Sequence, residues 1–122
     1  MSLLLAMFAV TATCTPNPAL ANAGPQRVRA YFAAINSRDE AAIGRFIRAG
    51  ALYTSPAVEE GMPLAEVMTL MLDTPEAEQL EVTQAQVQNG DVHVRTRTPG
   101  GATASANVRL DGGCVTRFAQ LS

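Results

Sequence analysis

Along the chain the apolar positions recur first with the period of a helix and later with that of a strand, the change falling near Leu80. Val28, Tyr31, Phe32 and Ile35 stand at i, i+3, i+4 and i+7, which predicts a helix over residues 25–36 with Pro25 in its first turn. Ser37-Arg38-Asp39-Glu40 has the spacing of a capping box, in which the Ser37 hydroxyl and the Glu40 carboxylate satisfy the first N–H groups of a second helix. Ala42, Ile43, Phe46 and Ile47 give that helix its buried stripe, and Gly50 ends it. Residues 51–54 read as a short strand stopped by Ser55-Pro56, because proline cannot donate to a sheet ladder. A loop with Glu59, Glu60 and Gly61 follows. Leu64, Val67, Met68 and Met71 return to helical spacing between Pro63 and Asp73-Thr74-Pro75, and Leu70 and Leu72 make this third helix apolar on more than one side.

Beyond Leu80 the turn signals Asn89-Gly90-Asp91, Pro99-Gly100-Gly101 and Asp111-Gly112-Gly113 divide the chain into four strands joined as hairpins. Val92, Val94, Thr96 and Thr98 share one face of the second, and Ala102, Ala104, Ala106, Val108 and Leu110 one face of the third. In the first, Leu80 and Val82 have one parity but Ala85 and Val87 the other, which predicts a bulge near Gln84 and hence a bent sheet. Helices followed by an antiparallel meander curved around them make an α+β fold.

The start of the chain has a different character. No charged side chain precedes Arg27, and Leu3 to Val10 are all apolar, a run too short to cross a bilayer but of signal-peptide length. Ala19-Leu20-Ala21 and Ala21-Asn22-Ala23 both fit an A-x-A cleavage pattern. Residues 1–23 are therefore expected to be a signal peptide and residues 24–122 the domain, exported to a periplasm or secreted and free of the membrane after cleavage. Cleavage at Ala23 would remove Cys14 and leave Cys114 as a lone thiol, with no internal disulfide.

Composition narrows the function. Hydrophobic residues are 48% of the 122 and charged residues 16%, a globular balance for one domain. The net charge is −2, and the bases, all arginine, form no cluster, so neither nucleic acid nor an anionic membrane is an expected partner. A single histidine and one cysteine after cleavage cannot build a zinc site, and no phosphate loop or dinucleotide fingerprint is present; no cofactor and no metal are expected.

Tyr31-Phe32-Ala33-Ala34-Ile35-Asn36-Ser37-Arg38-Asp39 and Ala51-Leu52-Tyr53-Thr54-Ser55-Pro56 resemble the opening of the nuclear transport factor 2-like superfamily, which includes SnoaL-like polyketide cyclases and ketosteroid isomerase. The likeness continues in order to Cys114-Val115-Thr116-Arg117-Phe118. It implies a cone-shaped curved sheet wrapped around the N-terminal helices, with a pocket at its open end. It also implies a homodimer, here through the sheet face bearing Thr103, Ser105, Asn107 and Arg109. Tyr31 falls where the isomerase has its oxyanion-donating tyrosine. Ser55 stands immediately before the proline where that enzyme keeps its general-base aspartate, and a serine hydroxyl cannot take up the proton near neutral pH. No carboxylate lies near Ala106 or Asn107, where the second acid would fall.

The catalytic candidates are thus Tyr31, Ser55 and His93, each with a structural reading beside it. Tyr31 suits an amphipathic core position, Ser55-Pro56 suits a turn, and His93 alternates with Arg95 and Arg97 on a polar face. Tyr31, Phe32, Tyr53, Ser55, Met68 and Asn107 are expected to line the pocket. The primary reading is a module that binds a small apolar molecule in the cone without catalytic machinery. The alternatives are an isomerase or cyclase acting on a carbonyl substrate with Tyr31 as donor, and a structural or dimerisation domain.

Overall fold

The computed structural model describes residues 9–74 and 78–122. Helix α1 (Gly24–Ser37) carries Pro25 in its first turn and buries Val28, Tyr31, Phe32, Ala34 and Ile35, the face the spacing predicts. It ends at Arg38 in the left-handed conformation, φ 58°, whose guanidinium donates to the carbonyls of Leu72 (2.8 Å) and Thr74 (3.1 Å). One arginine thereby closes two helices, since the last carbonyls of α3 (Leu64–Leu72) have no partners within their own helix. The Pro75 expected to stop α3 lies outside the described residues.

The second helix, α2 (Glu40–Gly44), is one turn long and starts differently from the capping box. Asp39 is the N-cap, accepting from the N–H groups of Ala41 (3.0 Å) and Ala42 (3.2 Å), while the Ser37 hydroxyl donates back to the Ala34 carbonyl at 2.6 Å. Both residues can cap, but the left-handed Arg38 turns the chain so that Asp39 precedes the new helix. Phe46 and Ile47, expected in the helical stripe, lie beyond its end. Ile47 opens strand β1 (Ile47–Ser55), longer than the predicted 51–54, with Gly50 inside it at φ +86°. The segment expected as a loop around Glu59 is strand β2 (Val58–Pro63), which pairs antiparallel with β1. Glu59 and Glu60 hide its strand character because this is an edge of the sheet, where charge is well placed.

Strands β3 (Glu81–Gln88), β4 (Asp91–Arg97), β5 (Thr103–Asp111) and β6 (Cys114–Gln120) follow the predicted hairpins. The register of β3 on β4 shifts between Val82 and Gln84, where the parity break placed a bulge. The sheet order is β2-β1-β6-β5-β4-β3, antiparallel except where β1 runs parallel to β6. Helix α1 packs on β3 and β4 and α3 on β1, so the core lies between the helices and one sheet face.

Cys114, expected as a lone thiol, is bonded to Cys14. The cleavage pattern at Ala23 had separated the two, and a spacing of 100 residues gives no sequence signal of pairing. Val10 joins the core, and the segment leading to α1 lies along the domain.

Asp39→Ala is expected to cost about 1 kcal/mol in chemical denaturation, and Ser37→Ala less. A larger loss for Ser37→Ala would return the cap to Ser37.

Candidate functional site

The inner sheet face is built by alternation. In the ladder Val92 faces Val108, Val94 faces Ala106 and Thr96 faces Ala104, while Val108 in turn faces Phe118 on β6. Helix α1 lays Phe32 across this face, 6.0 Å from Phe118 between ring centres. Small residues on β5 opposite large rings leave a pocket of about 140 Å³, lined by Phe32, Val94, Thr96, Ala104, Ala106 and Phe118 together with Leu80, Ser105 and Gln120. The walls are mostly apolar. Thr96 is buried at 6% exposure and carries a hydroxyl into this mostly apolar lining. At the other end Gln120 accepts from the Tyr53 hydroxyl at 2.6 Å, and Tyr53 stacks on Phe118.

Of the residues expected to line the pocket, Phe32 does so. Tyr53 sits one step behind, holding Phe118 and Gln120. Met68 is buried on α3 and does not reach the pocket wall. Ser55 lies at the β1–β2 turn, where its hydroxyl accepts from the N–H groups of Ala57 (3.3 Å) and Val58 (3.2 Å). Asn107 requires correction. It pairs with His93 across the ladder, one residue out of phase with buried Val94 and Ala106, and so lies on the outer face. There its Oδ1 is 2.9 Å from His93 Nδ1. His93, Arg95 and Arg97 share that outer face, as their alternation with the valines predicts.

Tyr31 is fully buried, with its ring 5.8 Å from Phe32, 6.0 Å from Phe46 and 6.4 Å from Phe118. Its hydroxyl has no partner. Desolvation drives the phenol pKa well above its ordinary 10.0, so the group is a neutral donor wherever the protein is folded. It is not one of the pocket-lining residues, and the aromatic cluster stands between.

Every lining residue but Phe32 was unexpected, among them Val94, Thr96, Ala104, Ala106, Phe118 and Gln120. Period-two patterning had already put Val94 with Thr96, and Ala104 with Ala106, on common faces. What it could not supply was which face α1 covers.

No protein-family profile matches the chain, and no curated protein matches its sequence. Solved structures do. An NTF2-like protein of unknown function from Cytophaga hutchinsonii superposes with a TM-score of 0.60 at 16% identity, covering 77% of this chain and 84% of that one. A candidate polyketide cyclase from Sinorhizobium meliloti gives a TM-score of 0.65 at 17% identity over 82% and 97%. A protein with a ketosteroid isomerase-like fold from Catenulispora acidiphila, solved in complex with trimethylamine, gives 0.55 at 20% identity over 79% and 84%. At these identities the fold is what is shared, and the chain has the NTF2-like fold.

Two outcomes are expected. Tyr31→Phe, which deletes a buried unpartnered hydroxyl, is expected to raise stability by about 1–2 kcal/mol in denaturant. Because the folded pKa is raised, the stabilisation from the neutral phenol is complete below pH 10.0 and is lost as pH climbs through the folded value. Tyr31→Phe should flatten that alkaline decline, and an unchanged decline would show the phenol to be exposed or bonded. Ser55→Asp is expected to leave isomerisation of a β,γ-unsaturated ketone at the wild-type background, since the side chain is held at the hairpin turn. A gain in rate would place it in the cavity.

Proposed function

We propose that the protein binds a small, largely apolar molecule in the pocket between α1 and the inner sheet face, and does not itself transfer protons. The observation that carries this reading is the lining: mostly apolar walls, the Thr96 hydroxyl, and neither a carboxylate nor a histidine among the residues that form it. General acid–base catalysis contributes about 10²- to 10⁴-fold and needs a titrating group within hydrogen-bond reach of the substrate. The hydroxyl of Thr96 and the amide of Gln120 can orient a ligand but cannot accept its proton near neutral pH.

Volume narrows the class further. At about 140 Å³ the pocket is close to the roughly 150 Å³ of an engineered apolar cavity that takes up benzene, and well below the 300–1,000 Å³ typical of drug-sized ligands. The ligand is therefore of single-ring or short aliphatic size, with one polar atom for Thr96. A four-ring steroid exceeds that volume. The complex of the Catenulispora acidiphila protein with trimethylamine gives precedent for a small molecule on this fold.

Calorimetry and thermal shift with single-ring phenols and ketones are expected to show binding, and a steroid none. Ala104→Phe should fill the pocket and abolish the response. Thr96→Val, which keeps the shape, should weaken ligands bearing a hydrogen-bonding atom by about 3- to 10-fold and leave the parent hydrocarbons unaffected. Binding that survives Ala104→Phe would place the site elsewhere.

A further inference from the structure

Residues 9–23 fall within the segment expected to be a removable leader, yet they are fitted to the domain along their length. The Val10 side chain is buried in the core, and its N–H donates to Thr69 Oγ1 on α3 at 2.9 Å. The N–H groups of Thr13 and Cys14 donate to the carbonyls of Gly44 (2.9 Å) and Ile47 (3.0 Å), so the segment runs beside the junction of α2 and β1. Farther on, the Asn17 N–H donates to Gly112 at 2.9 Å, and the Asn17 side chain caps a single 3-10 turn, Pro18–Leu20, that leads into α1. The disulfide from Cys14 to Cys114 lies between these contacts.

The receiving surface is shaped to match. A methyl group on Gly44 would overlap the Thr11 carbonyl oxygen. At Gly112, φ +55°, it would stand 2.6 Å from the Asn17 nitrogen. Arg27, in the first turns of α1, donates to the Gly113 carbonyl at 3.0 Å and lies over the Phe46 ring at 4.3 Å. Removing residues 9–23 would take away Val10 from the core, leave the carbonyls of Gly44, Ile47 and Gly112 without these partners and strand Cys114.

We infer that this segment is a permanent strap of the mature protein. Any leader is cut upstream of Val10, the A-x-A patterns at 19–23 are not used, and the strap is sealed by oxidation. In that step the Cys14 and Cys114 thiols exchange with the disulfide of a thiol oxidoreductase. The two sulfurs bond, two protons and two electrons pass to the oxidoreductase, and it leaves as a dithiol. Such a bond persists in an oxidising compartment, which fits export while moving the cleavage point.

Two measurements test the strap. The oxidised full chain is compared with a chain beginning at Gly24 that carries Cys114→Ser. Loss of packing and of a cross-link closing a long loop should lower the Tm by more than about 10 °C or prevent folding. A Tm within about 2 °C of the full chain would overturn the inference. The second experiment places the full chain behind an efficient cleavable leader and recovers it from a bacterial periplasm for intact-mass analysis. The expected product contains Cys14, resists alkylation as isolated and takes two alkyl groups after reduction. A product starting at Asn22 or Gly24, with one thiol open to alkylation without reduction, would show that the segment is discarded.

Discussion

The fold depends on one aromatic contact, the seating of Tyr31 and Phe32 from α1 against Phe118 from the last strand. Successive residues on a helix diverge by about 100°, yet both rings are buried because the sheet curves to meet them. Phe118 touches both, and Tyr53 stacks on its other side at 6.0 Å with the planes 14° apart. Helix α1, β1 and β6 are thereby tied at one point, although β1 and β6 are far apart in sequence and run parallel. Phe46, between α2 and β1, completes the cluster from a fourth direction. Each such pair adds about 0.5–1.5 kcal/mol beyond area burial, and the geometric result is a fixed spacing between helix and sheet. The pocket occupies the space that spacing leaves beside Ala104 and Ala106.

The same contact accounts for the orphaned Tyr31 hydroxyl. A ring wedged among three phenylalanines has little freedom to turn its oxygen toward a backbone carbonyl, and burial removes water as a substitute. The resulting upward shift of its pKa is a desolvation effect, with no charged neighbour contributing to it. A strongly shifted titratable group is often evidence of catalysis, but that inference needs access to a substrate. Here the aromatic cluster separates the hydroxyl from the pocket, and packing explains the shift without any reaction.

Much of this architecture was legible because the apolar periods are clean where the elements are two-sided. The faces of α1 and α3, the three hairpin turns after Leu80 and the bulge in β3 all follow from parity or helical spacing. The failures fall where local and long-range signals compete. Ser37 and Asp39 are both competent caps, and only the backbone turn at Arg38 decides between them. Phe46 and Ile47 continue a helical stripe in sequence, yet Ile47 pairs with Val115 on a strand about seventy residues away, and pairing of that range leaves no local trace. The edge strand β2 was masked by Glu59 and Glu60, the charges that suit an edge. For the site, strand parity separated two faces without saying which one α1 covers. Asn107, expected in the pocket, therefore lies with its register partner His93 on the outside.

The pocket itself is an argument about stability and binding. The pocket, about 140 Å³ in volume, is half open to solvent, so it is a cleft at the margin of the core and not a sealed void. Val94 and Val108 hold neighbouring inner positions on the same sheet face, whereas positions 104 and 106 carry only alanine. Two alanines facing Phe32 and Phe118 thus keep open a space that ordinary packing would close. On the proposed reading an apolar molecule in this space makes dispersion contacts with its walls, and the Thr96 hydroxyl beside it offers one directional contact for a polar atom. On that reading the two alanines serve the ligand as well as the fold, because a molecule in the cleft makes the contacts that small side chains leave unmade.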